Sequence, residues 1–278
     1  MVFYGENGKR VIGIPRFRSG SGFDMILVLD IGNTNITLGV YQKDKLLFVS
    51  RMATDRMRME DQYAIELRDI LDIHGVYFRQ IEGTAISSVV PSVNSSIKRA
   101  ITRLTGTEPV CVGPETETGI RIGISSEVVG ADLIVGCVAA AELFEGPCII
   151  IDMGTATTFV VLDENRRMLG GAIAPGVGIS LDALTNRTAQ LPSVSLEAPG
   201  HFIGNNTAEC MRSGLINGTA CMIDGMCAHM ERELGKKCHI VATGGLSKEI
   251  IEQCERDITY SDTLLLEGLR IIYEKNKS

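Results

Sequence analysis

The chain has 278 residues, 45% of them hydrophobic and 22% charged, with a formal net charge of −7 at pH 7. That balance supplies a sizeable core for one large domain or for two of roughly 120–150 residues. The acidic charge without a Lys/Arg stripe excludes nucleic acid as an expected partner. No stretch nears the roughly 18 apolar residues of a membrane span, so a soluble, cytoplasmic protein with no membrane partner is the expectation.

Residues 1–24 are basic and Gly-rich, with no apolar core long enough for a signal peptide. They read as an N-terminal extension, expected to be disordered, because Met25 stands directly before the first apolar run. Three strands follow: Ile26 to Leu29, Leu38 to Tyr41 and Leu46 to Val49. Glu60 to His74 reads as a helix, with Ile65, Leu67, Ile70, Leu71 and Ile73 recurring near a period of 3.6. Thr54-Asp55 and Glu60-Asp61 offer its N-terminal caps and Gly75 its stop. A strand over Ile81 to Val90, a helix over Ser92 to Thr105 and a short strand over Pro109 to Val112 complete a β-β-β-α-β-α-β order. That is the order of a ribonuclease-H-like unit.

Residues 113–129 read as a connecting loop. Gly130 to Glu142 is a helix apolar on nearly all sides, and so expected to be buried. A second unit opens at Pro147 with three strands reaching about Ala174. Helices follow over Ile179 to Thr188 and, as one element or two, over Thr207 to Leu234. A strand over His239 to Ala242 and helices over Ser247 to Cys254 and Thr263 to Tyr273 close the chain. The expected domains are therefore 25–145 and 146–278.

One pattern is written twice. The first strand ends in Asp30-Ile31-Gly32-Asn33-Thr34-Asn35, and the first strand of the second unit ends in Asp152-Met153-Gly154-Thr155. A tight turn between antiparallel strands presents backbone N–H groups outward, and Gly32 permits close approach of phosphate oxygens. Thr34 and Asn35 add donors. Asp30 repels phosphate but can hold a hydrated Mg²⁺ that binds it. An ordinary hairpin turn uses the same residue types, but two copies at equivalent positions point to a paired device. A third element, Ala242-Thr243-Gly244-Gly245-Leu246, leaves no side chain in the way of a flat ring or ribose.

Several other signals are silent or bland. No GxxxxGK[ST] motif is present, so this is not a P-loop kinase. Gly176-Val177-Gly178 does not continue to a dinucleotide fingerprint, because position 181 is Leu. Eight cysteines form no CxxC pair and read as reduced, buried thiols. Four histidines lack metal-ligand spacing. Arg51, Arg56 and Arg58 read as a solvated basic edge. Met222, Met226 and Met230 read as core or dimer contacts.

The two Asp-x-Gly turns and the Gly-Gly turn, in this order, resemble the sugar kinase, actin and heat-shock chaperone ATPase superfamily. There the first two are phosphate loops and the third an adenosine loop. A finer resemblance, to the type III pantothenate kinase family, rests on a longer series: Leu29 to Asn35, Ser88-Val89-Val90-Pro91, Val129-Gly130-Ala131-Asp132, Ile151 to Thr158, Gly170-Gly171 with Pro175-Gly176, Gly204-Asn205-Asn206-Thr207, and Ala242 to Leu246.

The resemblance implies an α/β protein of two ribonuclease-H-like domains, with mixed sheets flanked by helices and an ATP cleft between them. It implies an alcohol-accepting phosphotransferase that turns pantothenate into 4′-phosphopantothenate, the first step of coenzyme A biosynthesis, as a homodimer. By resemblance, Asp30, Ile31, Gly32, Asn33, Thr34, Asn35, Ile36, Thr37 and Thr155 bind ATP. Gly130, Ala131, Asp132, Leu133 and Thr207 contact pantothenate, and Asp132 accepts its hydroxyl proton. Asp152 holds a monovalent cation, K⁺ or NH₄⁺, beside the Mg²⁺ of ATP.

This chain departs from the family pattern at three places. Leu133 and Gly136 stand where members commonly have Arg and Asn, and Ile124 where many have Tyr. Arg121 or Arg187 is the expected replacement cation, with weak pantothenate affinity as the other outcome. Two rival readings stay open: a kinase of the same scaffold with another small-molecule acceptor, and a non-catalytic ATP-binding regulatory relative.

Overall fold

The computed structural model describes Phe3–Tyr4, Arg10–Val11 and residues 25–124 and 129–277. In the N-terminal extension, β1 (Phe3–Tyr4) pairs antiparallel with β2 (Arg10–Val11). The expectation for the remainder of residues 1–24 lies outside the described residues. The chain divides into two compact units, residues 1–112 with 276–278, and residues 113–275. The helix over Ala131–Leu143 therefore belongs with the second unit, whereas the expected division at 145 and 146 grouped it with the first.

In the first unit, β3 (Met25–Ile31), β4 (Asn35–Gln42), β5 (Lys45–Ala53), β6 (Ile81–Ser88) and β7 (Val110–Cys111) form a five-stranded sheet in the order β5-β4-β3-β6-β7. β3 pairs antiparallel with β4 and parallel with β6. Its sequence explains its central place. Leu27, Leu29 and Ile31 face one side and Ile26 and Val28 the other, and all are buried, the continuous apolar run of a strand covered on both faces. Helices α1 (Glu60–Ile73) and α2 (Pro91–Thr105) cover the first side with Tyr63, Leu67, Leu71, Val93, Ile97 and Ile101. Pro91 opens α2 at a position where its missing N–H costs nothing. Gly106, at φ 78°, closes it. The start of α1 corrects an expectation: the Gln62 side chain accepts the Met59 N–H at 2.9 Å, and Thr54-Asp55 serves the loop before the helix instead.

The second unit repeats the plan. β8 (Arg121–Ile122), β9 (Cys148–Met153), β10 (Ala156–Leu162), β11 (Arg167–Pro175), β12 (His239–Thr243) and β13 (Thr259–Tyr260) give the order β13-β12-β9-β10-β11-β8. Without β8, this is the strand order of the first sheet. β8 and β13 were missed in the sequence because two-residue strands carry no periodicity, and β8 falls in the stretch expected to be a loop. One face packs α4 (Val177–Arg187), α5 (Thr207–Leu234) and α6 (Ser247–Ile251) through Val177, Leu215, Ile216, Ile223 and Ile250. Met222, Met226 and Met230 line this core from its edge. The other face packs α3 (Ala131–Leu143) through Cys137, Ala139 and Ala140, and the start of α7 (Leu264–Asn276) through Leu264. Gly268 of α7 admits the Val135 carbonyl, which a Cβ would meet at 2.2 Å.

The cysteines divide. Cys137, Cys148 and Cys227 are buried, and burial pushes their thiols up to about 12, 11 and 12. Cys111, Cys210 and Cys221 are exposed, contrary to the expectation of wholly buried thiols. Among the described residues, no helix is long and apolar enough to cross a membrane.

Candidate active site

The first Asp-x-Gly turn lies between β3 and β4 and the second between β9 and β10, and each is fixed from neighbouring strands. In the first turn, Gly32 N–H donates to the Asn35 carbonyl at 3.0 Å. A Cβ at Gly32 would lie 3.2 Å from that oxygen. Past the end of β5, Thr54 donates its N–H to the Thr34 carbonyl at 2.9 Å and its hydroxyl to the Gly32 carbonyl at 2.7 Å. On the other side, Val89 N–H donates to the Ile31 carbonyl at 3.1 Å. Asn33, Thr34 and Asn35 are exposed, while Ile31 and Ile36 are fully buried in the core. Those two can meet a nucleotide only through their main chain.

Asp30 is opposed by Thr37 on β4 and by Ser87 on β6, so the three side chains stand in one row on the sheet face away from α1 and α2. Ser87 is fully buried, and its hydroxyl has no hydrogen-bond partner among the described residues.

In the second turn, Gly154 N–H donates to the Ala156 carbonyl at 3.0 Å. Two glycines grip it. A Cβ at Gly176 would sit 2.3 Å from the Thr155 carbonyl and 2.6 Å from that of Gly154. A Cβ at Gly244, where φ is +109°, would sit 2.4 Å from the Met153 carbonyl. The Gly-Gly element is thus a close backbone contact with the turn as well as an open edge.

Asp152 is opposed by Thr158 on β10 and Thr243 on β12, a second row of oxygen-bearing side chains on the α3 face. The Thr158 hydroxyl is buried without a partner among the described residues. Sequence reasoning passed over Ser87 and Thr158, although strand alternation, once register is known, places each beside its aspartate.

Helix and strand lengths bring Asp132 to this row. The connection from α3 to β9 is short, so the helix runs back along the strand. Thirteen helical residues span roughly 20 Å, and six strand residues also span roughly 20 Å. The first turn of α3 therefore stands at the Asp152 end of β9. The packing follows this direction, since a Cβ at Gly136 would lie 3.4 Å from Ile150. The Asp132 carboxylate accepts the Leu133 N–H at 2.8 Å. Burial raises its pKa, and backbone N–H donors partly oppose the shift.

Asp132, Asp152, Thr155 and Gly244 thus share one end of the second sheet. Thr207 does not join them on that face. It opens α5, which packs on the opposite face, and Asn206 caps that helix by accepting the Glu209 N–H at 3.0 Å. Leu133 is partly buried and packs against the core beneath α3. Neither expected replacement cation stands nearby. Arg121 pairs in register with Arg167, at the far end of β11, and donates to the Asn165 carbonyl at 3.3 Å. Arg187 ends α4, roughly 15 Å along the helix from Gly176. Ile124, in place of the Tyr, lies against Gly170.

A family model described as type III pantothenate kinase matches residues 26–229. A type III pantothenate kinase of Exiguobacterium sp. is 43% identical over 254 residues, covering 91% of this chain and all of the relative. The chain belongs to the type III pantothenate kinase family. Solved structures carry the same fold at low identity. A Campylobacter jejuni protein assigned to the Baf family of transcriptional activators matches with a TM-score of 0.58 at 19% identity, covering 90% of this chain and 98% of its own. A Sinorhizobium meliloti protein assigned as a 2-dehydro-3-deoxygalactonokinase gives 0.54 at 14% identity, over 90% and 98%.

In a pantothenate kinase of this type, the row Asp152-Thr158-Thr243 is an oxygen-only donor set with one carboxylate and one orphaned hydroxyl. It fits a hard cation better than a transition metal. Among the described residues, no group of three or more His, Cys, Asp or Glu forms a metal cage. The Asp30-Ser87 row likewise fits a hydrated divalent ion.

Proposed function

We propose that this chain transfers the γ-phosphoryl group of ATP to the primary hydroxyl of pantothenate, giving 4′-phosphopantothenate and ADP, with Asp132 accepting the hydroxyl proton as the new O–P bond forms. The observation that carries the mechanism is the position of Asp132. A half-buried carboxylate on the first turn of α3 stands at the same strand end as the second phosphate turn. An alcohol is a weak nucleophile at neutral pH, and a positioned carboxylate can take its proton in the transition state. The pKa raised by burial makes that carboxylate a stronger base than a solvated aspartate.

The remaining work is positioning and charge neutralisation. The Gly32 and Gly154 N–H groups brace their own turns, and the exposed backbone of Asn33, Thr34 and Thr155 holds phosphate oxygens, with Thr155 adding a hydroxyl. Asp30 and Ser87 hold Mg²⁺, which supplies charge neutralisation at the phosphates. Asp152 and Thr158 hold K⁺ or NH₄⁺. Gly130 to Leu133 line the acceptor's path, and Thr207 contacts the same substrate. A homodimer accommodates the placement of α3 and α5 on opposite sheet faces, because a second copy can bring its own α5 to the acceptor.

Pantothenate-dependent ADP release by the purified chain, followed in a coupled assay with and without K⁺, tests the reading. No turnover at millimolar pantothenate removes the substrate assignment. One observation favours a second acceptor: Leu133, partly buried against the core, brings no charge where members commonly have Arg. Complementation of a strain lacking pantothenate kinase, alongside an acceptor screen, separates the two.

A further inference from the structure

The basic segment after β5 is attached to the first phosphate turn. Beyond the two hydrogen bonds from Thr54 to that turn, the Arg56 guanidinium donates to the Asn33 side-chain carbonyl at 3.3 Å. The segment is also held from behind. The buried Tyr63 of α1 donates its hydroxyl to the Asp55 carbonyl at 2.7 Å, and the Asp55 side chain accepts the Met57 N–H at 2.9 Å. Arg56 is thus mounted on a short, doubly anchored arm at the rim of the turn.

Its neighbours differ from it. Arg58 is neutralised by Asp55 at 3.5 Å and by Glu66. Among the described residues, Arg56 has the neutral Asn33 oxygen as its hydrogen-bond partner and no carboxylate. Arg51 is exposed and opposes Thr37, which opposes Asp30. It therefore shares the face of Asp30, two strands and roughly 10 Å away. Among the described residues these two arginines have no carboxylate partner, and they flank a turn whose Asn33, Thr34 and Asn35 are exposed. A polyphosphate brings several negative charges to a turn that already carries Asp30, and guanidinium groups meet such oxygens with paired, charged hydrogen bonds.

We propose that Arg56 and Arg51 form an arginine clamp on the nucleotide's polyphosphate, with Arg56 at the turn and Arg51 on the sheet face beside Asp30. This rests on the reading of the first turn as an ATP phosphate site, and it gives those arginines a binding role in place of a solvated edge. A clamp on phosphate acts in proportion to phosphate number and leaves the nucleoside untouched.

The test is equilibrium binding of adenosine, ADP and ATP to the full chain without acceptor, comparing the unmodified protein with Arg56→Met and Arg51→Met. ATP affinity is expected to fall roughly tenfold or more in each variant, the size of a charged hydrogen bond. ADP should fall less and adenosine not at all. Arg56→Lys should recover part of the ATP affinity, because the charge returns without the planar fork. Arg58→Met should lower Tm without changing the ratio of ATP to adenosine affinity. An unchanged ratio in either clamp variant overturns the proposal, as does an equal loss for all three ligands, which would mark a merely structural role. Pantothenate-dependent turnover by the unmodified chain is measured separately, so failure of the substrate reading cannot be mistaken for failure of the clamp.

Discussion

With Asp132 as the proposed base, one carboxyl group would couple activity to stability. Burial raises its folded-state pKa, so the folded chain keeps this proton at a pH where the unfolded chain has released it. Stability therefore falls as pH rises from the ordinary aspartate value through the raised one, and above that window the ionised group carries its full cost. Asp132→Asn should cut turnover by about a hundredfold or more. The same variant should match or exceed the parent's Tm at neutral pH, as differential scanning calorimetry would report. The acid limb of the kcat/KM profile should lie above the pH at which a solvated aspartate titrates. Thr158 makes a related case. An unpartnered buried hydroxyl costs stability, and its removal is neutral or favourable in the absence of a ligand. KCl is expected to raise the parent's Tm, and Thr158→Val to melt no lower than the parent in K⁺-free buffer and to lose that rise. A full KCl response in the variant would remove Thr158 from the cation site.

At the level of elements, the two glycines of the third motif are unequal. A Cβ at Gly244 would strike the Met153 carbonyl, whereas at Gly245 it meets nothing within 4 Å. Gly244→Ala should cost about 1–3 kcal/mol and disturb the second turn, while Gly245→Ala should leave the denaturation midpoint near that of the parent. Asn206→Ala should cost about 1 kcal/mol through loss of the α5 cap. These contacts also mark what sequence can convey. Strand β3 and helix α2 were legible because apolar periodicity, Pro91 and Gly106 are local signals. The turns were legible because Asp-x-Gly is written twice. The rows Asp30-Ser87 and Asp152-Thr158 were not, because they depend on which strands become neighbours and in what register. The role of Thr54 was misread for a similar reason. Its residue type suits a helix cap, but its position one residue past β5 aims it at Gly32.

For the whole molecule, β3-β4-β5 and β9-β10-β11 repeat one antiparallel plan, and the first of these strands opens at Met25, one residue before the family match. A chain begun at Met25 should retain the parent's kcat/KM and Tm, and a loss of either would give residues 1–24 a part in the enzyme. The repeat also allows the two copies to be compared seat by seat. Ala53 opposes Asn35 in the first sheet as Pro175 opposes Ala156 in the second, so Thr54 and Gly176 hold corresponding places. In one copy the seat is filled by a hydroxyl that donates to Gly32. In the other the Gly154 and Thr155 carbonyls press into space that only a missing side chain leaves. The two halves should therefore differ in mutational tolerance: position 54 can accept other small hydrogen-bond donors, while position 176 rejects all nineteen alternatives. The first half is then the freer of the two to drift.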